Sequence, residues 1–485
     1  MKRLVIMLII GLLAIPFVSA QNEMDALRYS RLIPGGTARF ASTGSAFGAL
    51  GGDFSSLSLN PAGIAIYRGS EFTISPSLKY SQVDTRYFST LMDDMKYDLN
   101  LGNLGVVLAF PIGNKEEGGW QFINMGFGIN RHNNFNDRWI AQGFNTNNSL
   151  MTSMLEQANR EGSVENLSDF STWLAWDTWL LDTLPLNEKD RFRTDAPVDS
   201  VMQGLETNIS GSMREFVLSM GANYNDKVYI GVTFGFPTVR YDEENRYTEE
   251  DTRNMSDIFN SLAYTTNLTT EGNGYNFKVG AIVRVTDMIR LGGAFHSPTF
   301  LDLSDRYSAT MSSDLILNSY NQTSSSSSEG GRFDYELTTP LKAMGSLGLV
   351  FGTRGLVSLD YEFTDYSNAR LRSPDYSFTE ENNTIRDSFT AQHGIRVGGE
   401  LRLHPLILRA GYGQYTSPYV SGVNDGERTL ISGGIGLREQ NYFIDFSYTH
   451  SFYEEDYYLY QLDGLAPVER EFSASIFRIT FGRRF

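Results

Sequence analysis

"EFSASIFRITFGRRF", Glu471 to Phe485, decides the fold. Phe477, Ile479, Phe481 and Phe485 share one parity, and Arg478, Thr480, Gly482 and Arg484 share the other. Successive side chains of a strand point to opposite faces, so this stretch has one apolar and one polar face. An apolar face toward lipid and a polar face toward a lumen is the arrangement of a transmembrane β-barrel. Arg483 interrupts the pattern only near the end, where an interfacial charge costs little.

The same alternation recurs upstream. "EFTISPSLKY" (71–80), "LGVVLAF" (104–110) and "FINMGFGIN" (122–130) predict three strands. Five pairs follow, flanking Asn225-Asp226, Thr286-Asp287, Gly352 to Gly355, His404-Pro405 and Glu439 to Asn441, the residue types that tight turns need. With the final strand this makes fourteen. Each short turn falls after an even strand, the charged one at Gly113 to Gly118 included. The connections after odd strands are longer: residues 81–100, 131–213, 240–274, 299–331, 367–392, 416–428 and 454–471. Long loops on one side and short turns on the other mark an outer-membrane barrel, with both ends of the wall on the periplasmic side. A soluble β-sandwich or secreted adhesin also alternates, but it does not impose this rhythm on a whole chain.

Bulk properties agree. Of 485 residues none is Cys, which excludes disulfides, thiol chemistry and thiolate metal sites. Aromatic residues make up 13%, with 26 Tyr and 32 Phe, as an all-β chain with a greasy face requires. The net charge of −17 disfavours nucleic acid and anionic surfaces as partners. Residues 1–20 read as a secretory signal peptide: Lys2 and Arg3, an apolar run from Leu4 to Val18, then Val18-Ser19-Ala20. No later apolar run is long enough for a membrane helix.

Residues 21–70 contain no strand pattern and precede the barrel of residues 71–485. Fourteen strands lie between a barrel filled by side chains and one that holds a water channel, so an empty one would leak. The small residues of this segment suit close packing in a lumen. Asp53 is placed to cap a helical turn from Phe54, and Pro61 disfavours a helical Asn60. The segment therefore reads as a plug, or hatch, inside the barrel.

"GTARFASTGSAFGALGGDFSSLSLNPAGIAIYRGSEF" (36–72) resembles the N-terminal region of the FadL/TodX family, outer-membrane transporters of long-chain fatty acids and other hydrophobic compounds. "IRLGGAFHSP" (289–298) and "GIRVGGELRLHPLILRAGYGQYTSP" (394–418) resemble its strand patterns. Terminal Phe485 resembles the signal by which barrel-assembly machinery receives its clients. The resemblance implies passive, gated uptake through a Gram-negative outer membrane. A hydrophobic ligand would be caught by outer loops, held in the lumen, and released when the hatch moves, often sideways toward membrane lipid. Asn60, Pro61, Ala62 and Gly63 match the hatch motif and would form the gate turn.

Other candidates come from the residues alone. In "NLSDFSTWLAWDTWLLDTL" (166–184), Trp173, Trp176, Leu180 and Leu184 fall at helical spacings and Trp179 is three on from Trp176. They form a candidate hydrophobic capture site, or a loop helix packed on its neighbours. His132, His296, His393, His404 and His450 leave a haem-binding or other surface receptor as an alternative, alongside a non-transporting barrel scaffold in a secretion or surface system. "YDEENRYTEEDT" (241–252) reads as a solvated outer loop and "SSSSSEGG" (324–331) as a mobile loop tip. G-x-S-x-G, the phosphate-binding loop and H-E-x-x-H are all absent from the sequence, so no enzyme, cofactor or metal is expected.

Overall fold

The alternation at the C-terminal end becomes a two-faced strand. Phe477, Ile479 and Phe481 are 39%, 39% and 46% exposed, whereas Thr480 between them is fully buried. The computed structural model describes residues 23–33, 35–113, 118–184, 191–317 and 320–485. The expected leader over 1–20 and residues 114–117 of the first charged turn lie outside the described residues.

Fourteen strands form the wall. They are β1 Glu71–Tyr87, β2 Thr90–Pro111, β3 Trp120–Asn134 continued by Asp137–Asn145, β4 Val201–Tyr224 and β5 Val228–Glu250. Then come β6 Phe259–Arg284, β7 Ile289–His296 continued by Phe300–Leu317, and β8 in three pieces, Tyr320–Ser327, Gly331–Thr338 and Lys342–Val350. The rest are β9 Gly355–Asp365 with Arg370–Arg372, β10 Ala391–Leu403, β11 Leu406–Tyr415, β12 Arg428–Arg438, β13 Tyr442–Tyr457 and β14 Val468–Arg484. Neighbours pair antiparallel in chain order, and β14 closes on β1 from Glu71↔Arg484 to Arg86↔Glu469. The outward faces carry exposed apolar residues around the wall, among them Phe72, Phe127, Leu218, Phe234, Ile395, Ile435 and Phe446. That belt is the lipid-facing surface of a membrane barrel.

Three of the expected outer connections are largely strand. β1 and β2 pair through to Tyr87↔Thr90, so the expected 81–100 loop is a hairpin with a two-residue tip. β5 and β6 pair up to Glu250↔Ser261, and β7 and β8 up to Leu317↔Tyr320. The stretch Tyr241–Thr252 is therefore mostly β5, with Tyr241, Tyr247 and Glu249 buried, and the serine run is mostly strand. Likewise Asp137–Asn145 and Val201–Ile209 pair inside the expected 131–213 loop. Above the lipid belt both faces of a strand meet polar surroundings, so ladders persist where period-two hydrophobicity is lost.

One seam is incomplete. β2 pairs with β3 only from Asn103↔Asn130 to Pro111↔Phe122, and β3 then breaks at Phe135–Asn136. Among the described residues its outer half pairs with β4 alone. Side chains of β1 bridge the gap: Lys79 Nζ donates to the Asn136 carbonyl at 2.8 Å and Thr85 Oγ1 to the Ile140 carbonyl at 2.6 Å.

Candidate functional site

Residues 23–33 and 35–70 sit within the lumen and contain four short turns of helix. These are α1 Glu23–Ser30, α2 Ala38–Ser42, and 3₁₀ turns at Phe54–Ser58 and Pro61–Ile66. Local chemistry sets their ends. Asp53 Oδ1 accepts from Ser55 N at 3.0 Å and Asn60 Oδ1 from Ala62 N at 3.1 Å. Pro61 occupies the first position of the last turn, where its missing N–H is no loss.

Buried polar groups of the wall hold this plug from many sides. Asn124 of β3 donates to the Ile64 and Tyr67 carbonyls at 2.8 and 3.0 Å. Thr233 of β5 donates to the Leu57 carbonyl at 3.0 Å. Asp360 of β9 accepts from Phe47 N and Gly48 N at 2.9 and 3.0 Å, and Glu400 of β10 accepts from Arg39 Nε at 3.1 Å. Ser432 of β12 accepts from Gly44 N at 2.9 Å and Thr480 of β14 from Ala38 N at 2.7 Å.

The four motif residues, Asn60, Pro61, Ala62 and Gly63, lie together and buried at the plug–wall contact. Asn60 Nδ2 donates to the Gly48 carbonyl at 2.6 Å within the plug and to the Ala281 carbonyl at 3.2 Å on β6. Wall glycines make room for the turn. A Cβ on Gly280 would stand 1.9 Å from Asn60 Oδ1, and one on Gly231 would stand 2.3 Å from the Pro61 carbonyl oxygen.

Above the plug is a cavity of about 1800 Å³, beyond the roughly 300–1,000 Å³ of ordinary small-molecule sites. Its floor includes Ile33, Gly36 and Gly44 of the plug, and its roof includes Leu150 and Met154 of α3, Leu150–Glu161. Aromatic rings line one wall. Tyr453 and Phe472 stack at 4.5 Å, and Trp139 packs edge-on against Tyr457 at 5.0 Å. Cations stand among them. Arg428 lies 4.4 Å over the Tyr453 ring and Arg31 of the plug lies 6.0 Å from the same ring.

Arg131, Arg428 and Arg478 are 9%, 8% and 7% exposed and line this cavity. Among the described residues none of the three forms a salt bridge. The Nε atoms of Arg131 and Arg428 are buried without a partner, and Arg478 reaches only Thr449 Oγ1 at 3.4 Å. Several other lumen charges are matched: Glu215 accepts from Lys278 and His132, and Glu362 pairs with Lys342 and Arg396. A buried guanidinium without a salt bridge is costly, which sets these three apart from the paired charges of the lumen. In the sequence they are far apart, and only the polar parity of Arg478 points to the lumen.

The roof has its own latch. Glu249, beyond the lipid belt at the outer end of β5, accepts from Leu150 N at 2.7 Å, Gln203 Nε2 at 2.9 Å and Tyr247 Oη at 2.5 Å. Its other oxygen is buried without a partner, and burial pushes the carboxyl up to about 7. The closed roof therefore favours the neutral acid, and its stability falls as pH rises from the ordinary carboxylate range to about 7. Hydrogen exchange corrected for intrinsic rates is expected to show α3 better protected at pH 5 than at pH 8. Glu249→Gln should flatten that difference.

The tryptophan segment departs from its expected form. The helix α4 covers only Thr172–Asp177, and Leu180 is buried with Leu174 and Leu181 in the outer core rather than presented on a helical stripe. Leu184 lies beyond the helix. The buried contacts of Leu180 and Leu181 end the helix early. Trp173 and Trp176 are half-buried and tilt together at 5.1 Å, while Trp179 is 69% exposed with φ of 64°. These indoles stand outside the cavity lining.

The histidines are dispersed. His132 meets Glu215 at 2.9 Å, His296 meets the Leu59 carbonyl at 2.7 Å, and His393 meets Tyr361 at 2.7 Å. His450 meets Ser475 at 3.2 Å, and His404 is in the short turn between β10 and β11, as expected. Among the described residues no group of three or more His, Cys, Asp or Glu is arranged to hold a metal ion.

No protein-family model matches the sequence, and no curated protein does. Solved structures do match. A FadL homologue of Pseudomonas aeruginosa aligns over 94% of this chain and 99% of its own, at 16% identity and a TM-score of 0.57. The Pseudomonas putida toluene transporter TodX aligns over 93% and 99%, at 11% identity and a TM-score of 0.53. At such identities the likeness is one of fold.

Proposed function

We propose, from the premise that this chain has the FadL/TodX fold, that it takes up hydrophobic compounds through an outer membrane, and that its cargo is an anionic amphiphile such as a long-chain fatty acid. One observation carries the reading: a large aromatic-walled cavity, floored by the plug, that contains buried arginines with no carboxylate partner. Rings and aliphatic walls take the hydrocarbon chain, and guanidiniums take the carboxylate. Transport on this reading is passive, follows the gradient and involves no covalent step. Phe485 serves recognition by the assembly machinery, and the protein arrives by way of its leader peptide.

The Asn60–Gly63 turn is the gate on this reading. Asn60 fastens the plug to β6, and losing it strands up to three buried partners, at about 1–3 kcal/mol each. Trp179 is the first point of capture outside. The direct test is mass spectrometry of lipid extracted from the purified protein, with titration by a fluorescent fatty acid. Absence of both native acyl lipid and saturable binding would overturn the cargo. In the same assays Asn60→Ala is expected to change uptake severalfold with normal assembly, and Trp179→Ala to weaken capture at unchanged surface abundance.

A further inference from the structure

We propose that the periplasmic mouth holds a second anion site, built from Arg68, Arg284, Arg290, Arg402, Arg438 and Arg484, which receives the headgroup of an anionic amphiphile leaving beneath the plug; this rests on the reading of the cavity as a cargo site. Arg68 ends the plug, and the others stand at the periplasmic ends of β6, β7, β10, β12 and β14. They face inward. Arg284 shares the parity of fully buried Ile282, and Arg290 Nη1 donates to the Leu50 carbonyl of the plug at 3.3 Å. Arg402 reaches Glu400, Arg438 approaches Asp445, and Arg484 reaches Glu71, all lumen carboxylates. Arg290 lies in the field of Arg284, Arg402 and Arg68, and Arg438 in that of Arg484.

Cations exceed their partners here. Among the described residues seven guanidiniums, those of Arg39 and Arg409 included, share the five carboxylates Asp226, Asp287, Glu400, Asp445 and Glu71. Arg290 has no carboxylate among the described residues, and the Nε atoms of Arg284, Arg290 and Arg438 are buried without a partner. This ring concentrates positive charge at one end of a chain whose net charge is −17. It also touches the plug floor. Leu50, whose carbonyl Arg290 holds, precedes Gly51 and Gly52, both at left-handed φ of 59° and 66°, a backbone that side chains other than glycine rarely adopt. An anion arriving there can take the guanidinium now bound to the plug.

The test uses full-length protein in nanodiscs and a C18 fatty acid with a photoreactive diazirine beside its carboxylate, with crosslinks mapped by mass spectrometry. Labelling is expected at cavity peptides and at the mouth, near residues 284–290 and 438–442. Arg290→Gln should reduce mouth labelling at least tenfold and leave cavity labelling intact; this variant strands no carboxylate, so assembly is preserved. Arg290→Lys should retain labelling, and the methyl ester should label the cavity only. A labelled cavity with an unlabelled mouth would overturn the proposal and favour exit through the β2–β3 gap. So would mouth labelling indifferent to Arg290→Gln. Loss of mouth labelling on replacing phosphatidylcholine with phosphatidylglycerol would assign the ring to membrane headgroups and overturn the cargo role. An unlabelled cavity would instead overturn the function proposed above.

Discussion

Replacing Gly231 by Ala is expected to unseat the plug and open the barrel to ions. The added Cβ would lie 2.3 Å from the Pro61 oxygen, 2.4 Å from its carbonyl carbon and 2.7 Å from Ala62 N. All three are plug backbone, so no side-chain rotation relieves the clash. Nor can the turn shift freely, because Asn60 binds the Ala281 carbonyl on one side and the Gly48 carbonyl on the other. The wall is a closed sheet of fourteen strands with little room to swell, so the plug should yield. Conductance in planar bilayers should rise roughly tenfold or more, since a barrel of this strand number without its plug leaves a bore. Gly345→Ala is the control, because nothing lies within 4 Å of a Cβ there. Heat-modifiable migration on gels checks that both walls have assembled. Unchanged conductance in a properly assembled Gly231→Ala barrel would remove the turn from the seal.

The second large effect concerns the cavity arginines. Arg131→Gln together with Arg428→Gln is expected to weaken oleate binding by about 30-fold or more. Removing one member of a buried, hydrogen-bonded charge pair costs about 2–5 kcal/mol. Binding of methyl oleate should change by no more than about twofold, because the rings of Trp139, Tyr453 and Phe472 remain. Equal losses for acid and ester would mean that the arginines hold the cavity's shape rather than a headgroup.

What could be read from the chain follows the physics of each region. Wherever a strand has lipid on one face and lumen on the other, alternation marks it, as at Phe477 to Phe481, and all fourteen strands lie where that pattern puts them. Above the belt the signal fades although pairing continues, which is why residues 81–100 look like a loop and fold as a hairpin. The plug turns were legible because they depend on neighbours: Asp53 caps Ser55, and Pro61 starts a new turn behind Asn60. The cavity was not. Arg131, Arg428 and Arg478 line one cavity with Arg31 of the plug only because the sheet closes around that plug, and no local spacing records the closure. Spacing also overstated the tryptophan helix, since it cannot report that Leu180 and Leu181 turn inward after Asp177.

The pairing of β1 with β14 sets an order of events during biogenesis. Residues 23–33 and 35–70 precede the wall in the chain, yet the strands that grip them complete their cylinder only with β14, some four hundred residues later. Thr480, the partner of Ala38, lies on that closing strand. The stopper therefore gains its full set of wall contacts only once the vessel closes around it, and its run of glycine, serine and alanine is a composition poor in the segments that form cross-β aggregates.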